Sequence, residues 1–232
     1  MRLLPASVFA FALACAAGCG GGDGGSGLDQ INGGLSASWL IVDLASGRAE
    51  TRAEVTDLAT NPAYRRTQMV FRRVPSGTCE IGLPDTAAAS SDADERGVNR
   101  IANQAVPAFW IACFETTQHQ WWLLTASTDP EPSSDAGERA ATGVSAAAVD
   151  AVIAARPGRL AVPTPVQWER ATGAGRNRYS WGEIIDDNIV AQNAVTLPMD
   201  TPAQSSSAFI QPAAVGTRAA NVFGLYDMHG NV

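Results

Sequence analysis

Glycine and proline interrupt this chain so often that long periodic segments cannot form. The 232 residues include 22 Gly and 13 Pro, together with six Trp. Because Gly and Pro end helices and strands, a chain of this kind does not fold as a helical bundle. Hydrophobic residues nevertheless make up 46% of the sequence, which is enough apolar material for a core. We therefore expect one large or two small loop-rich domains of short elements.

The chain is acidic, and its basic residues are scattered. The formal net charge is −7, and charged residues make up only 17% of the sequence. Two basic pairs stand out, Arg65-Arg66 and Arg72-Arg73. Because nucleic-acid binding needs clustered Lys and Arg, this composition argues against a nucleic-acid partner.

The first residues have the pattern of an export signal. Arg2 provides a short positive region, and a stretch of apolar and small residues follows it up to Cys19. The stretch is too short to span a bilayer comfortably, so a signal peptide fits better than a membrane helix. Its end, AAGC at residues 16–19, resembles a bacterial lipobox, in which the cysteine is acylated and becomes the new N-terminus. The alternatives are an ordinary secretory signal and cleavage before Cys15.

We therefore interpret residues 1–18 as a lipoprotein-type signal peptide and Cys19 as the lipidation site. Residues 19–27 are mostly glycine, which predicts a flexible linker. A lipid followed by a slack linker suits a domain that is held close to a membrane. We expect an exported lipoprotein anchored in a bacterial cell envelope, or alternatively a secreted protein.

Three stretches have the composition of strands. Residues 37–44 form an apolar run that is expected to be buried on both faces, and residues 107–115 form a second apolar run. Residues 69–82 are predicted as a strand, a Pro-Ser-Gly turn and a further strand. Residues 84–104 and 126–143 are small, acidic or polar, so both are predicted to be exposed loops.

Three helices begin at recognisable N-caps. Thr117 is followed three residues later by Gln120, which makes a capping box ahead of an apolar stretch. Ser145 caps the second predicted helix. Thr164 and Gln167 form another capping box, with a proline at the first helical position.

Two cysteines remain beyond the signal, Cys79 and Cys113. By period-two alternation Cys79 shares a strand face with Ile81, and Cys113 shares one with Ile111, so both are expected to point inward. After export they meet an oxidising compartment. They form either a Cys79–Cys113 disulfide or two buried free thiols, and the sequence leaves both readings open.

Five motifs occur in order along the chain. They are MVFRRVPSGTCEIG, FWIACFETTQHQW, VPTPVQWERAT, YSWG and NVFGLYDMHGNV. Together they resemble the sulfatase-modifying factor family, whose best-known members are the formylglycine-generating enzymes. The resemblance covers residues 67–232 and leaves residues 28–66 as an N-terminal extension.

The resemblance implies a fold that composition alone does not give. It is an irregular α+β domain related to the C-type lectins, with little regular structure. The family pattern continues beyond the position of Val232, with closing strands. We therefore expect the chain to be a fragment whose sulfatase-modifying-factor-like domain, residues 67–232, is incomplete at its C-terminus.

The same resemblance implies a chemistry and a place for it. Formylglycine-generating enzymes oxidise a cysteine of a sulfatase with molecular oxygen, using copper(I) held by two cysteines. Soft thiolates suit that ion. The pair belongs to the C-terminal third of the family, and Cys79 and Cys113 do not match it. We therefore assign no catalytic residue in this chain, and copper(I) is expected only if a further C-terminal part carries the pair.

A structural calcium site is also implied by the resemblance. Calcium takes several oxygen ligands, which mix carboxylates, amide oxygens and backbone carbonyls. The family motif carries over to the side chain of Asp227 and the carbonyls of Gly230 and Val232. A tight glycine-containing turn would aim the carbonyls inward while Asp227 supplies charge; the alternative is an aspartate that only caps a turn.

A second, weaker calcium site is implied further upstream. Its ligands carry over to Asn193, the carbonyl of Ala194, Ser207 and the carbonyl of Phe209. Ser207 stands where the family has an aspartate. Because a neutral hydroxyl replaces a charge, we expect this site to bind calcium less tightly.

The two histidines of the chain, His119 and His229, lie in different motifs. A histidine-ligated iron or zinc centre needs more ligands than these. We therefore expect both to be surface or helix-face residues.

Two functions remain open on the sequence. The first is an exported relative of the formylglycine-generating enzymes that oxidises a cysteine of a protein substrate. The second is a non-catalytic, lectin-like surface lipoprotein that binds protein or glycan. The membrane would be reached through the lipid anchor in either case.

Overall fold

The computed structural model describes residues 14–15, 38–81, 101–127, 135–156, 160–173, 179–182, 186–195 and 212–231. The strands in these ranges are β1 (Ala14–Cys15), β2 (Trp39–Asp43), β3 (Ala49–Arg52), β4 (Gln68–Val74), β5 (Gly77–Ile81), β6 (Ile101–Val106) and β7 (Phe109–Ala112). The α-helices are α1 (Ala63–Arg66), α2 (Gln118–Thr125), α3 (Ala146–Ala154), α4 (Pro165–Thr172) and α5 (Asp187–Asn193), and Asp135–Glu138 form a 3-10 helix.

A five-stranded antiparallel sheet organises the fold, in the order β1-β7-β4-β2-β3. Strands β2, β4 and β7 contribute apolar residues to both faces, as expected for residues 37–44. In β4, Met69 and Phe71 pack into one core cluster, while Val70 and Val74 pack into the other. The same alternation continues in β2 and β7, so the sheet lies between two layers of side chains.

The strand predicted within the N-terminal extension is part of this sheet. β2 lies between β4 and β3, with Leu40 opposite Phe71 and Ile41 opposite Val70. Leu40 and Phe71 have no exposed surface. The segment around residue 40 therefore contributes directly to the core.

The prediction that residues 84–104 form an exposed loop was wrong for residues 101–104. A second, two-stranded sheet pairs β5 with β6, and β6 already begins at Ile101. Asn103 and Ala105 are exposed, because this strand has solvent on one side. Its small and polar composition therefore reflects partial exposure, not the absence of regular structure. β5 pairs with β6 and not with the preceding β4.

The three predicted N-caps are confirmed. Thr117 and Gln120 make both bonds of a capping box at α2, and Thr164 and Gln167 make both at α4. The Ser145 side chain accepts a hydrogen bond from the N–H of Ala148 at the start of α3. Local side-chain bonding of this kind depends only on nearby residues, which is why sequence reasoning found it.

The prediction that residues 126–143 form an exposed loop was wrong for residues 135–141. Asp135–Glu138 form a 3-10 helix, and Ala140 and Ala141 are buried. Isolated bridges join Thr117 to Ala140 and Arg139 to Ala214. These residues are small and polar because they pass close to other backbone, not because they lie in solvent.

α5 is a helix where the sequence predicted none. The side chain of Asp186 accepts hydrogen bonds from the N–H groups of Asn188 and Ile189, which is an N-cap. No residue of α5 is fully buried, so this helix lacks the apolar stripe by which a helix can be predicted from its sequence. Among the described residues, no helix has the length and apolarity needed to cross a bilayer.

Candidate functional site

The segment from Asn221 to Asn231 forms the centre of the candidate site, and Asn221 holds its first turn. The Asn221 side chain donates to the carbonyls of Ala171 (2.7 Å) and Thr172 (2.9 Å) at the end of α4. Its side-chain oxygen accepts from the N–H groups of Phe223 (2.9 Å) and Leu225 (3.2 Å). One side chain thus satisfies two helix-end carbonyls and fixes the following turn.

The N-terminal extension contacts the same turn. Arg72 donates to the carbonyl of Phe223 (3.2 Å) and to that of Ser38 (3.0 Å), and its guanidinium lies 4.7 Å from the centre of the Trp39 ring. This places a cation over an aromatic face, an attractive arrangement. Residues 38–39 are therefore joined to the candidate site through one arginine.

Asp227 is the buried acidic residue of the segment. It is 3% exposed and has a φ of 52°, in the left-handed region. Its Oδ2 accepts a 2.5 Å hydrogen bond from the N–H of Gly216, and its Oδ1 is buried without a hydrogen-bond partner. Burial raises the pKa of this carboxyl, while the Gly216 N–H, Arg218 and Arg65 act in the opposite direction.

The end of the segment lies against residues that follow α5. Gly230 bridges Val195 in parallel, and Asn231 donates its N–H to the Val195 carbonyl at 2.9 Å. Gly230 has a φ of 82°, and a Cβ placed on it would overlap the Val195 carbonyl oxygen. Only glycine fits this close approach without strain.

Asn231 and Glu115 form a second polar group beside Asp227. Glu115 is 4% exposed, and its Oε2 accepts a 2.6 Å hydrogen bond from the Asn231 side chain. The Asn231 side-chain oxygen accepts from the N–H of Ala213 at 2.8 Å. Asn231 and Asp227 together hold the loop from Ala213 to Gly216 against the segment.

The structure describes two of the three residues that were predicted as ligands of the first calcium site. Asp227 and Gly230 lie in the same turn, and Val232 is outside the described residues. Asp227 fits a cation: a buried carboxylate with one oxygen unpartnered suits a hard ion with oxygen ligands. The described residues contain no cluster of three His, Cys, Asp or Glu side chains, so an ion here would draw its other ligands from backbone carbonyls and water.

Of the residues predicted to form the second calcium site, the structure describes only Asn193 and Ala194. The Asn193 side chain donates to the carbonyl of Ile189 (2.8 Å), and Ala194 is buried at the end of α5. Ser207 and Phe209 are outside the described residues. Ala194 directly precedes Val195, so the backbones of the two predicted calcium sites are neighbours.

His229 is packed among aromatic rings, contrary to the expected surface or helix-face position. The rings of Tyr179 and Trp181 stack at 4.8 Å, and His229 meets them edge-on at 5.7 and 5.0 Å. Its Nε2 accepts a 3.1 Å hydrogen bond from the N–H of Ser180, so the ring is neutral. Burial lowers the pKa of His229 accordingly. His119 lies on α2, as predicted.

Cys79 and Cys113 are both free thiols in the structure. Cys113 has no exposed surface and belongs to the core, and burial raises the pKa of its thiol far above the ordinary value. Cys79 packs against the same core and donates from Sγ to the carbonyl of Val166 at 3.5 Å. Burial raises the pKa of Cys79 as well. The predicted lipidation site, Cys19, is outside the described residues.

Sequence reasoning missed Asn221, Glu115 and Asn231 as residues that build the site. Asn221 carried one usable signal, because an asparagine three residues before Gly224 is typical of a turn. Glu115 and Asn231 lie far apart in the chain and meet only through the fold.

A family model described as the sulfatase-modifying factor enzyme 1-like domain matches residues 54–232 of this chain. No curated protein and no solved structure gives a significant match to this chain. The matched range contains β4 to β7, α1 to α5 and the whole candidate site.

Proposed function

Since the chain belongs to the sulfatase-modifying factor family, we propose that it is an exported binding protein built on that scaffold. In this proposal it holds a protein or glycan ligand at the bacterial cell surface and performs no oxidation itself. The fold is of the irregular α+β kind that this family has.

The placement of the two cysteines carries this proposal. Copper(I) chemistry of the formylglycine-generating type needs a pair of thiolates that can meet the ion. Cys113 is enclosed in the core next to β7, and Cys79 lies on the other sheet in β5. These two thiols do not fit a copper pair.

Oxidation of a protein cysteine is the second candidate, and the family match favours it. It would need a cysteine pair other than Cys79 and Cys113. An oxidoreductase that uses molecular oxygen is therefore the competing function for the same scaffold.

Oxygen consumption distinguishes the two functions. The protein is loaded with copper and given a peptide that contains Cys-x-Pro-x-Arg, the motif implied by resemblance to the formylglycine-generating enzymes. We expect no copper-dependent oxygen uptake and no loss of the peptide thiol. Formation of an aldehyde on the peptide would contradict the binding proposal and establish the oxidase.

The membrane anchor is part of the proposal and rests on the sequence around Cys19. A single acyl chain binds membranes only weakly, so stable anchoring takes more than one lipid chain, as lipoproteins carry. We expect Cys19→Ala to move the protein from the membrane fraction to the soluble fraction in the bacterial host. Unchanged partitioning of the variant would contradict the anchor.

We also propose that a calcium ion braces the turn at Asp227. Its support is the buried Oδ1 without a hydrogen-bond partner. Burying the Asp227 carboxylate costs free energy, and this cost is the reason why burial raises the pKa of the group. A bound cation removes that cost.

Calcium is expected to stabilise the wild-type protein and to leave Asp227→Asn unaffected. Saturation at about 100 times Kd adds roughly 2.7 kcal/mol to the free energy of unfolding. In chelator, Asp227→Asn is expected to be as stable as the wild type or more stable, since it keeps an acceptor for Gly216 and loses the buried charge. Thermal unfolding with calcium and with chelator measures both effects.

Asp150→Asn is the matched control, because Asp150 is exposed on α3. This variant should keep the full calcium response. Equal calcium shifts in Asp227→Asn and Asp150→Asn would mean that the ion is bound elsewhere or not at all.

A further inference from the structure

The two edges of the five-stranded sheet differ in character. β3 forms one edge, is mostly exposed, and carries Glu50 and Arg52, which pair with each other at 2.8 Å. Charged edge strands resist pairing with other chains. β7 lies next to the opposite edge, has no charged residue, and all four of its residues are buried.

The hydrogen-bond pattern shows which groups of β7 face away from β4. The N–H of Cys113 donates to the carbonyl of Val70 in β4 at 2.8 Å, so by alternation that of Ile111 also faces β4. The N–H and C=O groups of Trp110 and Ala112 therefore point to the outer side. Buried backbone groups of this kind need partners.

The partner on that side is β1. Ala14 lies opposite Ile111 and Cys15 lies opposite Trp110, in an antiparallel pair. Both residues of β1 belong to the segment that the sequence predicts to be a signal peptide, residues 1–18. Removal of that segment would leave the outward groups of Trp110 without this partner.

We propose that the outer side of β7 is a strand-docking site, occupied by the chain's own segment at Ala14–Cys15 until the leader is removed. The site takes an extended segment that runs antiparallel to β7 and pairs through its backbone, as in strand addition to a sheet edge. Processing of the leader then opens an uncharged edge on a sheet whose opposite edge, β3, is charged. This inference is independent of the ligand in the proposed function.

Amide hydrogen exchange in the full chain tests the docking. Cys15→Pro removes the N–H that pairs with Trp110. We expect the Trp110 amide to exchange at least about tenfold faster in this variant. Ala6→Pro introduces the same residue into the leader outside β1 and should leave the exchange rate unchanged. The Ile111 amide faces β4 and should stay protected in both variants.

Equal exchange at Trp110 in Cys15→Pro and Ala6→Pro would overturn the proposal. If Cys15→Pro also exposes the Ile111 amide, the sheet itself has opened, and a second measurement decides. The folded chain is then cut at a protease site placed in the linker of residues 19–27 and washed. A labelled peptide of residues 10–18 should bind the cut protein, whereas the same peptide with proline at position 15 should not; failure of the first peptide to bind overturns the proposal.

Discussion

Replacing Asn221 with alanine is expected to lower the free energy of unfolding by about 3–5 kcal/mol, because four partly buried backbone groups lose their partner at once. Two of them are the Ala171 and Thr172 carbonyls at the end of α4, and two are N–H groups of the following turn. Urea unfolding measures the loss as a lower midpoint with an unchanged slope.

Two further variants identify the cause of that loss. Asn221→Asp keeps the oxygen that accepts from Phe223 and Leu225 but cannot donate to α4, so it isolates the helix-end bonds. Asn188→Ala removes an exposed asparagine on α5 and should change stability by less than about 0.5 kcal/mol. A loss in Asn221→Ala no larger than in Asn188→Ala would show that the four bonds contribute little.

Gly230→Ala is expected to cost about 3 kcal/mol or more in unfolding free energy, since it combines backbone strain with a steric clash. The residue has a φ of 82°, and its new Cβ would overlap the Val195 carbonyl oxygen. Overpacking and a left-handed backbone each cost roughly 1–3 kcal/mol. The clash would separate the turn at Asp227 from α5, so the calcium response should weaken as well. Thermal unfolding with and without calcium measures both.

Gly143→Ala is the matched control, because it measures the cost of backbone strain without a steric clash. Gly143 has a φ of 68°, and a Cβ there would meet no atom within 4 Å. Its cost should be only about 1–2 kcal/mol, the strain of a left-handed alanine. If the two alanine variants were equally stable, the close approach of Gly230 to Val195 would not exist in solution.

The parts of the fold that the sequence predicted are those that depend on near neighbours. The capping boxes at Thr117 and Thr164 need only a hydroxyl and a glutamine three residues apart. The strands near residues 37–44 and 107–115 are apolar runs long enough to fill two core layers. The family itself was recognisable because five motifs kept their order, and the family match confirms it.

The parts that it missed depend on distant residues. β6 and the 3-10 helix at Asp135–Glu138 have the composition of loops, because exposure or close backbone approach favours small and polar residues. The pairing of β5 with β6 instead of β4 also follows from the whole sheet arrangement, which no local pattern specifies.

The residues of the candidate site also divide into those that a local motif predicted and those that meet only through the fold. Asp227 and Gly230 were predicted because they share one short motif with the family. Glu115 and Asn231 are 116 positions apart and meet at 2.6 Å only after the sheet and the final turn have packed together. The calcium-ligand roles of both predicted sets remain predictions, and Val232, Ser207 and Phe209 also lie outside the described residues.

The sequence by itself determined the family, the starts of α2, α3 and α4, and the apolar strands of this protein, because each depends on residues that are contiguous in the chain. Only the tertiary structure decided that one oxygen of Asp227 is buried without a partner, that His229 lies among aromatic rings, and that β1 covers the edge at β7. Burial and pairing are properties of surfaces brought together from separate parts of the chain, so no single stretch of sequence contains them.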